Sequence, residues 1–177
     1  TLRRTLSDPG IPESMKDPAS WPAEMRAEWE DEGAPARHRA ALRDGFARAR
    51  QAIDDFQPDV VLVWGDDQYE NFTEDIIPAF SVLAYDDITP QPWKGQRLAN
   101  VWGESEDFEI TVRGAPQIAR DLTAALLDND IDIAYAYKPL HHDGLAHAFA
   151  NTVLYLDQDS VGCDYPVVSL PVNCYGR

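Results

Sequence analysis

Three of the four histidines fall within seven residues: His141, His142 and His147. An imidazole titrates near neutral pH, so such a group in a Gly-containing loop suits general acid/base work or ligation of a metal. The plainer alternative is a loop pair with one imidazole at the start of a helix. A second cluster lies in Gly65-Asp-Asp-Gln-Tyr-Glu-Asn-Phe72, where Asp66, Asp67 and Glu70 put three carboxylates into five residues with the Gln68 amide between them. Hard oxygen donors of this kind could ligate a divalent cation or bond a polar substrate. A solvated acidic loop is the other reading. Trp64, Tyr69 and Phe72 flank the cluster and could stack on an aromatic ring or belong to the core. His38 stands apart among arginines, as a residue of a helix face. Asn71-Phe72-Thr73 fits a glycosylation sequon, but the first twenty residues lack the apolar core of a signal peptide, so it reads as chance.

These clusters need elements to hold them. In residues 36–56 the apolar positions Leu42, Phe46, Ala49, Ile53 and Phe56 are spaced four, three, four and three apart, which predicts one face of a helix. Pro58 ends it, and 59–64 (Asp-Val-Val-Leu-Val-Trp) is a continuous apolar run, the pattern of a strand buried on both faces of a sheet. The acidic cluster leaves the carboxyl end of that strand, where open α/β sheets bind ligands. Further strands are expected at 80–85, 131–137 and 165–172. Helices are expected at 116–129, with Ile118, Leu122, Ala125 and Leu126 inward and Pro116 in its first turn, and at 145–156. Alternating helices and strands predict an α/β fold, a central mixed or mostly parallel sheet with helices on both faces. The expected organisation is a single domain over 1–177, in which 1–35 is a Pro-rich acidic arm with one short helix at 23–30 and 86–109 is an excursion carrying Trp93 and Trp102. The loops 66–70 and 141–144 are expected to converge at one sheet edge.

Composition sets the outer bounds. A chain of 177 residues can bury roughly two-thirds of its unfolded surface. Its net charge of -16 and pI near 4.4 oppose binding to a phosphate backbone or an anionic lipid surface, so nucleic-acid and membrane partners are not expected. No apolar run approaches the roughly 18 residues of a membrane span, and a cytoplasmic location is expected. Cys163 and Cys174 are too few for a disulfide framework and read as reduced thiols. Dinucleotide, P-loop, serine-hydrolase and zincin motifs do not occur.

Three segments together resemble the LigB-type, or class III, extradiol ring-cleavage dioxygenases. Residues 58–72 look like that family's buried strand and following Asp-His pair, with Gln68 in the place of the His. Residues 114–147, ending in His141-His142-Asp143-Gly144-Leu-Ala-His147, are similar to its helix, strand and catalytic-His loop. Residues 164–174 look like its late strand leading to an Asn, here Asn173. The resemblance implies opening of a small catechol-type ring by O2 at non-haem Fe(II) held by two His and one Glu. His142, with His141 as the second choice, matches the acid/base imidazole, and Tyr69, His147 and Asn173 are expected to touch substrate. Gln68, Asp67 and Glu70 are the expected metal-side residues, while the family's first ligand His would precede Thr1 and its Glu would follow Arg177. Self-association into a homo-oligomer stays open. The alternative is a metal-free family member acting as a binding or assembly protein through its acidic surface and the Trp93 and Trp102 segment.

Overall fold

The structure, a computed structural model, describes residues 9–94, 104–140, 144–158 and 162–174. Its contacts divide the chain into two compact units, Thr1–Gly45 and Phe46–Arg177. The first holds helix α1 (Glu13–Lys16), a 3-10 turn (Pro18–Ser20), helix α2 (Ala23–Glu30) and the opening turns of helix α3 (Ala34–Phe56). The expected arm with one helix is thus a series of short helical turns. Asp17 caps the 3-10 turn by accepting from the Ala19 N–H at 2.9 Å, and the Trp21 indole donates to the Met15 carbonyl at 2.9 Å. Trp21 also meets Trp29 edge to face, with ring centroids 5.6 Å apart. His38 pairs with Glu28 at 2.8 Å on an exposed surface.

The second unit is built on four strands: β1 (Val61–Asp67), β2 (Ser81–Leu83), β3 (Ala134–Ala136) and β4 (Val167–Asn173). Their order in the sheet is β1-β4-β2-β3. β1 pairs in parallel with β4 from Val61↔Val167 to Asp67↔Asn173, and β2 pairs in parallel with β3, while β2 runs antiparallel to β4. The mixed α/β sheet therefore agrees with the expected fold class, and each expected strand appears, shortened at 81–83 and 134–136.

Side chains alternate across these strands, so each face acquires its own core. On one face Val82, Ala84, Val168 and Leu170 pack with Ala115 and Ala119 of helix α4 (Pro116–Asp128) and its approach. On the other Leu83, Tyr85 and Val167 pack with Phe149, Ala150 and Val153 of helix α5 (His147–Leu156). Of the expected inward stripe of α4, Leu122 and Leu126 pack against this core, but Ala125 is exposed and Ile118 is 41% exposed, and the buried positions are Ala119 and Thr123. Small side chains let the helix lie close to the sheet, and Thr123 returns its hydroxyl to the Ala119 carbonyl at 2.8 Å. α5 approaches β1 even more closely. A Cβ at Gly65 would stand 2.8 Å from the Ala148 Cβ, so only glycine fits there.

Two expectations are corrected. β1 is the edge strand and not a central strand covered on both sides, since Leu62 and Trp64 are 50% and 65% exposed on the face opposite α5. The reason is packing: α5 covers one face of β1, and α4 lies over β2 and β4. The second half of α3, expected to lie on the sheet, reaches α5 and the segment after it. Phe46 stacks on Tyr155 with centroids 4.9 Å apart, and Arg50 donates to the carbonyls of Leu156 at 3.3 Å and Gly162 at 2.6 Å. Among the described residues no helix is long and apolar enough to cross a membrane.

Candidate functional site

The carboxyl end of β1 delivers Asp67 to the α5 side of the sheet, where it is only 3% exposed. Its two oxygens accept the N–H groups of Glu70 at 2.9 Å and Asn71 at 3.0 Å, so the chain closes a tight turn on its own strand end. Tyr69 sits inside that turn with φ of 59°, the left-handed conformation that reverses the backbone there. The turn places Asn71, itself buried, against the start of α5. Its amide donates to the Gly144 carbonyl at 3.1 Å, and its oxygen accepts the Ala146 N–H at 2.8 Å.

One residue earlier, Glu70 completes the junction. Its carboxylate accepts the His147 backbone N–H at 3.1 Å and stands 2.7 Å from His147 Nδ1. The first arrangement satisfies a backbone donor at a helix N-terminus, where a negative charge is favoured. The second fixes the imidazole, with Nδ1–H turned to the carboxylate and Nε2 left as the acceptor nitrogen. Both residues line a cleft of about 590 Å³, which the segment 89–94 with Pro90, Pro92, Trp93 and Lys94 and the α5 residues Ala150, Asn151 and Tyr155 also line. That volume suits a small organic ligand.

The remaining expected site residues lie in several places. His141, His142 and Trp102 fall outside the described residues. Gln68 donates through its amide to Asp66, which holds the Asp66 carboxyl below its ordinary range. Tyr69 is 41% exposed and is not part of the cleft wall. Asn173 lines a separate small cavity with Asp67, Ser81 and Pro171. Phe72 packs against the core, and Trp64 lies on the sheet face away from α5. Trp93, expected on a partner surface in the binding-protein reading, walls the cleft instead. Cys174 approaches the Asp67 carbonyl at 3.5 Å, and desolvation together with the Asp66 carboxylate holds its thiol above its ordinary value, against a role as nucleophile. Burial does the same to Cys163.

The expected convergence of the 66–70 and 141–144 loops rests on His141 and His142, which lie outside the described residues; what meets is Glu70 and Asn71 with Gly144, Ala146 and His147. β3 runs opposite to β1, because β1 is parallel to β4, β4 antiparallel to β2 and β2 parallel to β3. Its carboxyl end therefore faces the other edge of the sheet. Gly144 and His147 nevertheless stand at the end of β1, brought there by the start of α5 and held by Asn71 and Glu70. Sequence reading missed the role of Asn71. The signal available was an amide four residues after an acidic strand end, in a position to be buried by the turn that the acid caps.

As placed, the described residues do not fit an Fe(II) ion. Both oxygens of Asp67 face backbone N–H groups, both oxygens of Glu70 face His147, and the Gln68 amide nitrogen faces Asp66. Among the described residues no three His, Cys, Asp or Glu side chains gather as such a metal requires.

Comparison with known proteins decides the relationship. No protein-family model matches the chain. Curated proteins named 2,3-dihydroxyphenylpropionate/2,3-dihydroxicinnamic acid 1,2-dioxygenase do: that of Photorhabdus laumondii is 26% identical over 136 residues, 77% of this chain and 37% of the relative. The protein of Rhodococcus rhodochrous is 27% identical over 143 residues, 81% and 40% respectively, and that of Paraburkholderia phymatum 32% over 130 residues, 71% and 33%. The chain is a distant relative of the LigB-type extradiol dioxygenases. It spans between a third and two-fifths of the length of these dioxygenases.

Proposed function

We propose that this chain belongs to an oxidoreductase that opens the ring of a small catechol-type aromatic substrate with O2, and that the cleft beside α5 receives the ring. The supporting observation is the His147–Glu70 pair opening into that cleft in a relative of extradiol dioxygenases. A catechol must lose hydroxyl protons before it becomes electron-rich enough to react with O2. His147 Nε2 is the group to accept one, because Glu70 holds Nδ1–H and so keeps the ring in the tautomer whose free nitrogen is basic. Glu70 also stabilises the imidazolium once it forms. Pro90, Pro92 and Trp93 supply an apolar wall that excludes water from one side of a planar substrate. Oxygen activation in the resembling family belongs to Fe(II). The described residues offer that ion no complete donor set.

The test is ring opening of 3-(2,3-dihydroxyphenyl)propanoate by the 177-residue chain, supplied with Fe(II) under air and followed by absorbance of the ring-opened product. Turnover that falls about a hundredfold or more in both His147→Ala and His147→Gln, with KM little changed, is the expected result. The glutamine variant keeps a polar contact to Glu70 and cannot carry the proton. Full activity in both variants would remove His147 from the reaction, and failure of the chain to bind the diol in the cleft, read by titration, would overturn the reading itself.

A further inference from the structure

We infer that one resident water binds in the small cavity lined by Ser81, Asp67 and Asn173, and joins β2 to the carboxyl end of β1. Ser81 is 1% exposed, and its hydroxyl oxygen, shielded from solvent, has no hydrogen-bond partner among the described residues. A buried hydroxyl left in that state costs its whole desolvation, and folded proteins keep few of them.

Strand register shows where that hydroxyl projects. β2 meets β4 antiparallel with Leu83 opposite Ser169, and Phe80 bridges Val172, so Ser81 stands opposite Pro171. On the other side of β4, Pro171 pairs with Gly65 and Asn173 with Asp67. Residues directly opposite share a face of the sheet, and so do alternate residues along one strand. Leu83, Val167 and Val63 belong to the core under α5, and each lies an even number of residues from Ser81, Asn173 and Asp67 respectively. All three polar side chains therefore project from the α5 face, into one cavity that Phe72, Ile77, Pro78 and Pro171 also line. Its space is about 10 Å³, the room that a single water requires and too little for a larger ligand. Polar partners are at hand. The Ser81 hydroxyl can donate or accept, and the Asp67 carboxylate, which already takes the Glu70 and Asn71 N–H groups, has lone pairs for a further donor. An apolar cavity of this size stays dry, whereas one walled by a carboxylate, an amide and an unpaired hydroxyl holds water.

A crystal structure of the 177-residue chain that resolves ordered waters tests this. Density for one water about 2.7–3.0 Å from Ser81 Oγ is expected, with a second contact to Asp67 or Asn173. A cavity without that density overturns the inference. Thermal unfolding of Ser81→Ala adds a test of sign. Removing a dry, unpaired hydroxyl relieves a cost, so the midpoint would rise or stay where it is. Removing a hydroxyl bonded to a resident water loses that bond, so the midpoint is expected to fall by about 2–4 °C for a chain of this size. A rise or no change overturns the inference, as does water density that persists undiminished in Ser81→Ala.

Discussion

The two ends of α5 are both tied down by charged side chains reaching from elsewhere in the chain, yet they are built for different work. At the carboxyl end Arg50 is spent on structure. Its guanidinium pairs with Asp54 at 2.9 Å and donates to the carbonyls of Leu156 and Gly162, and its side chain is 16% exposed. Tyr165 adds its hydroxyl to Asp54 at 2.7 Å. Cations belong at a helix carboxyl end, and each of the three guanidinium nitrogens of this one has a partner. At the amino end a carboxylate plays the complementary part, but the group it faces is an imidazole whose side chain is 47% exposed and lines a cleft. The lesson is that the same helix-end electrostatics closes one terminus on a fixed cation and leaves at the other an imidazole that opens on the cleft.

Separating the two ends by mutation tests this contrast. The largest effect is expected from Asn71→Leu, which strands the Gly144 carbonyl and Ala146 N–H in a buried junction. Urea unfolding should show a loss of about 2–4 kcal/mol, and ring opening should fall as well because His147 loses its support. A loss confined to stability would mean that the junction does not position the imidazole. Arg50→Met should cost about 1–2 kcal/mol, by freeing two carbonyls that water can partly reach, and should leave turnover per folded molecule unchanged. A drop in turnover there would show that the two ends are coupled through α5. The smallest effect is in acid. The Arg50 guanidinium, followed by the Tyr165 hydroxyl, holds the Asp54 carboxyl below its ordinary range. A carboxyl depressed in the folded state stabilises it above the unfolded value, roughly pH 4, and that contribution disappears as pH falls through the lower folded value. Unfolding midpoints of the native chain should therefore decline below about pH 4 more steeply than those of Asp54→Asn. Parallel curves would remove the carboxyl from the anchor.

Legibility in the sequence followed the range of the interactions. The helices 23–30 and 34–56 were readable because period and prolines are local signals, and their observed bounds differ from expectation by at most two residues. The apolar run of β1 marked a strand, but whether one face or both would be covered depends on where α4 and α5 settle, which no local pattern encodes. The direction of β3 was equally invisible, since strand direction is set by pairing across the sheet. For the site, the composition of the 66–71 turn suggested chemistry, and His147 was placed on the opening turn of its helix. What the sequence did not disclose was that both oxygens of Glu70 would face His147, a contact across 77 residues of chain.

That separation has a consequence for when the site exists. Glu70 and Asn71 meet the start of α5 across 77 and 75 residues of chain, and β1 meets β4 across still more. Closing a loop of that length costs about 4 kcal/mol of chain entropy, which neither hydrogen bond nor ion pair of this junction recovers alone. The imidazole and its carboxylate therefore come together only as part of the cooperative closing of the sheet and its two cores. The site has no local folding unit of its own. Its lifetime is tied to that of the Phe46–Arg177 unit, so the Ala146 amide proton is expected to exchange with solvent only on opening of that unit.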